Sequence, residues 1–359
     1  MSGDEGPWRG RRALVTGHTG FKGAWLGWWL HRLGAEVSGL ALGPPSTPSL
    51  FDLARLGDIV VDHRADIRDL SAVHAALAAA QPEIVFHLAA QPLVRRSYAE
   101  PLETYATNVL GTAHVLEAAR HAPSVRAVVV VTTDKCYEND DVSPWPFRER
   151  DPLGGHDVYS SSKACAELVT ASYRAAFLAP QGRVLVASAR AGNVIGGGDW
   201  AEDRLIPDMV RAAAAGTAVP LRRPGAVRPW QHVLEPLAGY LMLGQRLLDG
   251  DGTAADAWNF GPGPSDDRPV GWVAERLSAL WGGRPLIELS PGPHPHEAET
   301  LRLDWTKARI HLGWAPRWRL DEALARTAAW YRRVADDPTA VTARRAMDDD
   351  LDAYGGLPA

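Results

Sequence analysis

The chain reads Ala13-Leu14-Val15-Thr16-Gly17-His18-Thr19-Gly20-Phe21-Lys22-Gly23 near its N-terminus. Ala13 to Val15 predict a short buried strand, and an apolar helix is expected from about Ala24 to Leu33, ended by Gly34. The evenly spaced glycines between strand and helix leave backbone N–H groups free to meet a pyrophosphate at the helix N-terminus. Strand, glycine turn and helix in this order predict dinucleotide binding.

Short apolar runs and helical patterns alternate through the region that follows this turn. Strands are expected at about 36–42, 59–61, 84–87 and 127–132, and helices near 70–79 and 105–120. Strands that are continuous apolar runs between helices predict a parallel, doubly wound α/β sheet. Ligands bind at the carboxyl ends of such strands, which makes cofactor candidates of Asp66, Ile67, Leu88, Ala89, Ala90 and Gln91; the alternative for each is an ordinary loop.

The second expected strand ends with Leu42-Gly43-Pro44-Pro45. It lacks the acid that binds the adenosine ribose at this place in NAD enzymes. No arginine follows directly to bind a 2′-phosphate either, since Arg55 is the nearest one. We favour NAD as the cofactor, and NADP stays open.

A second informative stretch is Tyr159-Ser160-Ser161-Ser162-Lys163. In a helix the tyrosine and the lysine lie on the same face, and an ammonium close to the phenol favours the phenolate. The pair would accept the proton of a substrate hydroxyl, although a surface Tyr and Lys at helical spacing is the alternative. Four of the 38 Lys plus Arg are lysines. Three of them fall in informative motifs, namely Lys22, Lys135 and Lys163, and the fourth is Lys307.

Composition excludes several classes of function. A chain of 359 residues with 46% apolar and 23% charged residues is typical of a globular protein with a large core. A net charge of −5 without basic clusters gives no footprint for nucleic acid. The most apolar run, 127–131, is too short to span a bilayer, so we expect a cytoplasmic protein. Cys136 and Cys165 have neither disulfide-framework nor metal-site spacing.

Taken together, the motifs resemble those of the extended short-chain dehydrogenases/reductases and, within them, the CDP-glucose 4,6-dehydratases. The narrower resemblance rests on six blocks between about residues 13 and 330. They are residues 17–23, Thr133-Asp134-Lys135-Cys136-Tyr137, Gly154-Gly155-His156-Asp157, residues 190–200, Arg228-Pro229-Trp230-Gln231-His232-Val233 and His294-Pro295-His296-Glu297. The residues themselves do not select cytosine; that assignment comes from the resemblance alone.

The resemblance implies a Rossmann domain with a smaller, mixed α/β substrate domain. The first would contain residues 1–188 and 229–266, the second residues 189–228 and 267–335. Residues 336–359 would form a C-terminal tail, in which we expect Asp348 to Asp352 to be solvated. Related enzymes pair through helices that correspond here to about 105–120 and 159–177, which implies a homodimer or a higher homo-oligomer; the apolar stripe on the second helix could equally belong to the core.

The resemblance further implies an NAD-dependent lyase that converts CDP-glucose to CDP-4-keto-6-deoxyglucose and water. Tyr159 would take the C4 hydroxyl proton, helped by Thr133, while Lys163 favours the phenolate and binds the nicotinamide ribose. Asp134 would protonate the departing C6 oxygen. Our hypothesis for Lys135 is that it removes the C5 proton; alternatively it positions Asp134 or binds a phosphate.

Binding residues follow from the same resemblance. Cofactor contacts are expected from Gly17, His18, Thr19, Gly20, Phe21, Lys22, Gly23 and Thr132, although a local loop role for His18 is equally compatible with the sequence. Contacts with the nucleotide sugar are expected from Gln91, Asn193, Arg204, Leu205, Arg228, His232 and His296. No metal is expected, because this class of reaction needs none and Pro295 constrains the two flanking histidines.

Two other functions are compatible with parts of the sequence. An NAD-dependent epimerase or reductase for nucleotide sugars would keep Tyr159 and Lys163 but would not need Asp134 and Lys135 together. A catalytically silent nucleotide sensor or scaffold would tolerate the loss of Tyr159 and Lys163, and their presence argues against it.

Overall fold

The computed structural model describes residues 6–141, 145–283, 286–290 and 298–357. The strands in this part of the chain are β1 (Arg12–Thr16), β2 (Glu36–Ala41), β3 (Val61–Arg64), β4 (Ile84–His87), β5 (Ala127–Val131), β6 (Leu185–Ala191), β7 (Val194–Ile195), β8 (Val219–Leu221), β9 (Val227–Pro229), β10 (Gln231–His232), β11 (Ala257–Phe260), β12 (Asp267–Pro269) and β13 (Ile287–Leu289).

The helices begin with α1 behind the glycine turn. They are α1 (Phe21–Arg32), α2 (Leu50–Leu53), α3 (Leu70–Ala80), α4 (Val94–Ala99), α5 (Pro101–Tyr105), α6 (Gly111–His121), α7 (Val158–Tyr173), α8 (Ala179–Gln181), α9 (Leu205–Ala215), α10 (Leu234–Leu248), α11 (Val270–Leu280), α12 (Leu320–Asp336) and α13 (Ala340–Tyr354). A π-helical turn, Ala106–Leu110, joins α5 to α6, and the 3-10 turn Asp134–Cys136 follows β5.

A seven-stranded parallel sheet forms the centre of the molecule, in the order β11-β6-β5-β4-β1-β2-β3. Alternate residues of each strand enter two separate cores: Val15 and Phe86 pack with the side of α1 and α10, and Leu14 and Val85 with the side of α3 and α6. The predicted doubly wound fold is confirmed. No described helix is long and apolar enough to cross a bilayer.

Two expected elements differ in position. The strand expected at 59–61 is wrong: Leu56–Asp58 form a 3-10 turn, and β3 starts at Val61. β3 is an edge strand with mostly exposed residues, so it lacks the continuous apolar run that marked its neighbours. The helix expected from 105 begins earlier, with Pro101 in its first turn, where a missing N–H costs nothing.

A smaller region beside the sheet contains the pairs β9–β12 and β8–β13 with α9 and α11. It lies next to the glycine-rich segment that follows β7. A Cβ at Gly197 would come within 2.1 Å of the Trp330 ring, so only glycine lets this segment cross α12. The division into two domains with the boundaries given above stays a prediction.

The C-terminal segment is not the solvated tail that the acidic run predicts. It forms α13, whose buried residues are spaced three or four apart and include Ala343, Met347, Leu351 and Tyr354. The Trp28 indole N–H on α1 donates to Asp348 Oδ1 at 2.8 Å, and the Tyr354 hydroxyl donates to Glu235 Oε2 at 2.8 Å. The helix therefore secures α1, the helix behind the glycine turn, from outside.

Candidate active site

The glycine turn between β1 and α1 is shaped by close backbone contacts. Gly17 has φ +74°, and a Cβ there would lie 2.8 Å from the Ala89 nitrogen. A Cβ at Gly23 would lie 2.2 Å from the Gly17 carbonyl oxygen. The N-cap residue Gly20 offers no side chain to the first N–H groups of α1. These N–H groups therefore remain available for an anion, as the pyrophosphate prediction requires.

His18 has the local role that its sequence left open. Its ring is buried, its Nε2 lies 2.9 Å from Asp62 Oδ1, and a Cβ at Gly39 would come within 2.2 Å of it. Burial lowers the pKa of His18 despite the Asp62 carboxylate. The neutral imidazole thus connects the turn to β2 and β3, and a contact of His18 with the cofactor stays a prediction.

Lys22, at the start of α1, interacts electrostatically with charged residues of the expected catalytic site. Burial, then the charges of Arg204 and Lys163, lower the pKa of its amine to about 7. Asp134 and Asp199 act on it in the opposite direction. Lys22 therefore lies within the electrostatic field of the expected catalytic groups as well as beside the expected phosphate site.

The other expected cofactor residues lie at the carboxyl ends of β3 and β4. Arg68 donates from Nε and Nη2 to Asp66 Oδ2 at 2.8 and 2.6 Å. The backbone nitrogens of Leu88 and Ala89 each approach Thr16 Oγ1 to 3.1 Å. Gln91 uses its side chain locally, since Oε1 accepts from the Leu93 nitrogen at 2.6 Å and Nε2 donates to Thr104 at 2.9 Å.

Tyr159, Thr133 and Asp134 form one buried cluster. Asp157 caps α7 by accepting from the Ser160 nitrogen at 2.9 Å, which places Tyr159 in the first turn. Burial raises the pKa of the Tyr159 phenol to about 12, and the hydrogen bond with Thr133 and the charge of Arg204 oppose this rise. Thr133 Oγ1 also donates to Asp134 Oδ1 at 2.9 Å.

Lys163 takes a position below this cluster. Its Nζ donates to the carbonyl oxygen of Val131 at 3.5 Å. Burial lowers the pKa of the amine to about 8, and Glu167 on the next turn of α7 opposes that change. The positive group that favours the phenolate in this structure is Arg204, whereas the sequence argument assigned that effect to Lys163.

The Asp134 carboxyl is buried away from solvent. Only 2% of the residue is exposed, and its Oδ2 has no hydrogen-bond partner among the described residues. Burial raises its pKa, although Lys135, Thr133 and Arg228 act to lower it. Gly192 makes room for it, because a Cβ there would lie 2.9 Å from Oδ2. Such a carboxyl is suited to hold and deliver a proton.

A cavity opens beside this carboxyl, with Lys135 in its wall. Its lining includes Tyr137, His156, Ser160, Arg228 and Leu301. Arg228 is 4% exposed, and its Nη1 donates to the carbonyl of Val227 at 2.9 Å. Arg204, the N-cap residue of α9 directly before Leu205, pairs with Asp199 Oδ2 at 2.9 Å. Two guanidinium groups therefore lie near the same region, as an anionic substrate needs.

Other predicted substrate residues are not placed in this cavity wall. Asn193 precedes β7, and its carbonyl accepts from the Gln231 nitrogen at 3.0 Å. The His232 side chain is fully buried, with its ring 4.9 Å from that of Trp318 and 6.3 Å from that of Trp25, and its contact with the substrate stays a prediction. His296 and its motif lie outside the described residues. The described residues contain no cluster of metal-ligating side chains.

Sequence reasoning missed a buried polar network beneath the catalytic residues. Asn108, in the π-helical turn, accepts from the Gln91 nitrogen at 2.8 Å and donates to Ser162 Oγ at 2.8 Å. Glu167 and Arg190, both 3% exposed, form an ion pair of 2.7 Å. The one sequence signal for Glu167 is its position four residues after Lys163, on the same face of a helix.

Comparisons with known proteins agree with this geometry. The model of the NAD dependent epimerase/dehydratase family matches residues 13–259. A CDP-glucose 4,6-dehydratase of Salmonella typhimurium is 47% identical over 355 residues, which cover 98% of this chain and 99% of that protein.

Solved structures of similar proteins contain bound nucleotides. The structure of MoeE5 in complex with UDP-glucose and NAD has a TM-score of 0.77 and 26% identity, covering 90% of this chain and 99% of that one. The dTDP-glucose 4,6-dehydratase DesIV of Streptomyces venezuelae, solved with NAD and TYD, also has a TM-score of 0.77 and 26% identity, with 89% and 97% coverage.

The glycine turn can be tested with two substitutions in α1. Gly23→Ala should reduce the affinity for NAD at least about tenfold, equivalent to ~1.4 kcal/mol, because the new Cβ displaces the turn. Gly27→Ala is the matched control, since its Cβ would meet Val60 Cγ2 at an ordinary 3.7 Å. Isothermal titration calorimetry measures both; wild-type affinity in Gly23→Ala would contradict the assigned phosphate site.

Proposed function

The chain belongs to the NAD-dependent epimerase/dehydratase family, and on that premise we propose that it is a CDP-glucose 4,6-dehydratase of deoxysugar biosynthesis. It converts CDP-glucose to CDP-4-keto-6-deoxyglucose and water. The observation that carries this proposal is the buried carboxyl of Asp134 directly beside Thr133 and Tyr159. An epimerase needs the phenol, whereas elimination of water also needs a group that delivers a proton to the departing oxygen.

The residues at the end of β1 fit a dinucleotide, because a Cβ at Gly17 would clash with the Ala89 backbone and a Cβ at Gly23 with the Gly17 carbonyl. Bound NAD supplies the hydride acceptor for C4 and the hydride donor for C6. The N–H groups at the start of α1 would bind its pyrophosphate, and Lys163 would bind its nicotinamide ribose. Asp66 and Ile67 lie where the adenine is expected, at the end of β3.

Oxidation at C4 needs a base for the hydroxyl proton. Tyr159 serves as this base. The hydrogen bond with Thr133 and the charge of Arg204 act to lower the pKa of its phenol, which favours the phenolate. Binding the substrate and cofactor in a closed cleft excludes water from these groups, which strengthens each electrostatic interaction. The resulting 4-keto group makes the proton on C5 acidic.

Elimination then uses the turn that follows β5. Lys135 removes the C5 proton, and Asp134 delivers its proton to the C6 oxygen, which leaves as water. The proton on Lys135 returns to C5 when C6 is reduced. Tyr159 has gained one proton and Asp134 has lost one, so exchange with solvent restores both side chains. The amine must be neutral to act as this base, which burial under the bound substrate favours.

The nucleotide diphosphate is bound by local positive charge rather than by the net charge of −5. Arg228 and Arg204 supply guanidinium groups suited to phosphate oxygens. Asn193 and Leu205 stay proposed contacts on the same side. The choice of cytosine is supported by the similarity to the Salmonella typhimurium enzyme rather than by a residue of the cavity.

We propose a cytoplasmic homodimer that pairs through α5, α6 and α7. These helices, the π-helical turn between α5 and α6 and a second π-helical turn after α7, Arg174–Leu178, expose five large apolar side chains: Leu102, Tyr105, Leu110, Leu168 and Phe177. The largest of these exposed fractions is 83%, at Leu102. A cluster of apolar side chains on adjacent helices is typical of a subunit interface. Light scattering of the purified protein tests the proposal, which a monomer at micromolar concentration would contradict.

The function is tested by offering equal concentrations of CDP-, dTDP- and UDP-glucose to the purified protein with NAD in catalytic amount. The 4-keto-6-deoxy product should form fastest from CDP-glucose, and NADH should not accumulate because each turnover returns the hydride. Alkaline absorbance of the product and absorbance of NADH measure the two quantities. Formation of NADH in proportion to consumed substrate would exclude the proposed reaction, and turnover of another nucleotide sugar alone would exclude the proposed substrate.

Lys135→Ala tests the assigned base. The variant should still oxidise C4, seen as enzyme-bound NADH in a single turnover, but should not exchange the C5 hydrogen with deuterated water. Lys307→Ala is the control, because Lys307 pairs with Asp256 and does not line the cavity. Deuterium entering C5 at the wild-type rate in Lys135→Ala would assign the base to another group.

A further inference from the structure

One buried ion pair holds both ends of the catalytic turn Asp134–Cys136. Thr132, two residues before the turn, donates from Oγ1 to Glu167 Oε1. Tyr137, directly after the turn, accepts from Arg190 Nη1 at 2.8 Å. Arg190 Nη2 in turn donates to Glu167 Oε2 at 2.7 Å. The segment that carries Thr133, Asp134 and Lys135 is thus attached at each end to the same pair of charges.

Further hydrogen bonds to β6 and β11 hold the Glu167–Arg190 pair in place. Ser188 on β6 donates to Glu167 Oε2 at 2.7 Å, and the Tyr137 hydroxyl donates to Asn259 Oδ1 on β11 at 2.7 Å. Both carboxylate oxygens of Glu167 therefore accept hydrogen bonds in a buried environment, where such bonds are strong and their loss is costly.

Glu167 also lies one helical turn from Lys163 on α7. Both side chains are almost fully buried, with 3% and 6% of the residues exposed. Within the described part of the chain, the Lys163 ammonium makes one long hydrogen bond, to the Val131 carbonyl at 3.5 Å. A carboxylate one turn away is a substantial stabilising charge for an ammonium in such surroundings.

We propose that Glu167 is a positioning residue: it keeps Lys163 in its charged form and, through Thr132 and Arg190, holds the catalytic turn against α7. The expected effects on C4 oxidation and C5 exchange rest on the proposed function, whereas the expected effect on the charge of Lys163 does not. It assigns to one carboxylate the coordination of two groups that act in different steps, the Tyr159–Lys163 pair in oxidation and the Asp134–Lys135 pair in elimination.

The electrostatic surroundings of Lys163 support this role. Burial disfavours the ammonium, and Glu167 is the largest opposing influence on its pKa, ahead of the Cys136 thiol. The charged and titratable groups that face Lys163 from other elements are Lys22 from α1, His87 from β4 and Cys136 from the turn. His87 is neutral at physiological pH, because burial lowers its pKa to about 3.

The charge effect can be measured without substrate or cofactor. The chain contains four lysines, so protein labelled with ¹³C-lysine should give few Cε resonances, and Lys163→Arg identifies the one of interest. In Glu167→Gln this resonance should titrate at a pH lower by about one unit or more, because the compensating carboxylate is gone. Ser188→Ala is the matched control: it removes another partner of the same carboxylate but leaves its charge, and the Lys163 titration should not move.

Glu167→Gln leaves the Arg190 charge buried without its partner, which can prevent folding. The double variant Glu167→Gln/Arg190→Gln avoids this and should show the same downward shift, since Lys163 still lacks its carboxylate. An unchanged Lys163 titration in the folded variants would overturn the charge assignment, whatever substrate the enzyme accepts.

The positioning effect is tested with Thr132→Val, which removes the hydroxyl bound to Glu167 and keeps its shape and charge environment. Single-turnover experiments at saturating NAD should show C5 exchange slowed at least tenfold more than C4 oxidation, equivalent to ~1.4 kcal/mol. Equal slowing of both steps, or of neither, would overturn the positioning role. Wild-type protein that forms no keto sugar would instead refute the proposed function and leave the lysine titration interpretable.

Discussion

The burial of ionisable side chains is the constraint on which the rest of the site depends. Removing Lys22 and Lys163 from water lowers the pKa values of their amines to about 7 and about 8, whereas burial raises that of the Asp134 carboxyl. Burial therefore favours the protonated form of Asp134, which delivery of a proton requires, and it makes the charge of Lys163 depend on the nearby Glu167 carboxylate. The same burial raises the pKa of Tyr159, so this residue depends on Thr133 and Arg204 to become a base.

The fold makes such burial possible by collecting the site from distant parts of the chain. β1, β4 and β5 end at one edge of the parallel sheet, which brings the glycine turn, Gln91 and the Thr133–Lys135 segment together. α7 crosses this edge with Tyr159 and Lys163, and the segment at Gly192 covers Asp134. α13 secures α1 from the other side through Asp348 and Trp28. The catalytic groups therefore belong to a rigid frame, which limits the reorganisation needed during the reaction.

Local patterns predicted those parts of the structure that local physics determines. β1, β4 and β5 were predictable because strands buried on both faces are continuous apolar runs, whereas the exposed edge strand β3 was misplaced. α13 was missed because its acidic residues obscured the spacing of Met347, Leu351 and Tyr354. The motifs selected Tyr159, Thr133 and Asp134, which the structure brings together. Motif membership does not determine side-chain direction, as His232 and Gln91 illustrate. The Glu167–Arg190 pair joins α7 to β6, a tertiary contact without a local signature.

The central claim is that one bound cofactor moves a hydride from C4 to C6 of the same sugar. The most direct measurement uses CDP-glucose deuterated at C4 and analyses the product by NMR and mass spectrometry. We expect one deuterium in the C6 methyl group of CDP-4-keto-6-deoxyglucose, without loss to the medium or to free NADH. Deuterium recovered in NADH, or found at C4 of an epimerised sugar with its C6 hydroxyl intact, would contradict it.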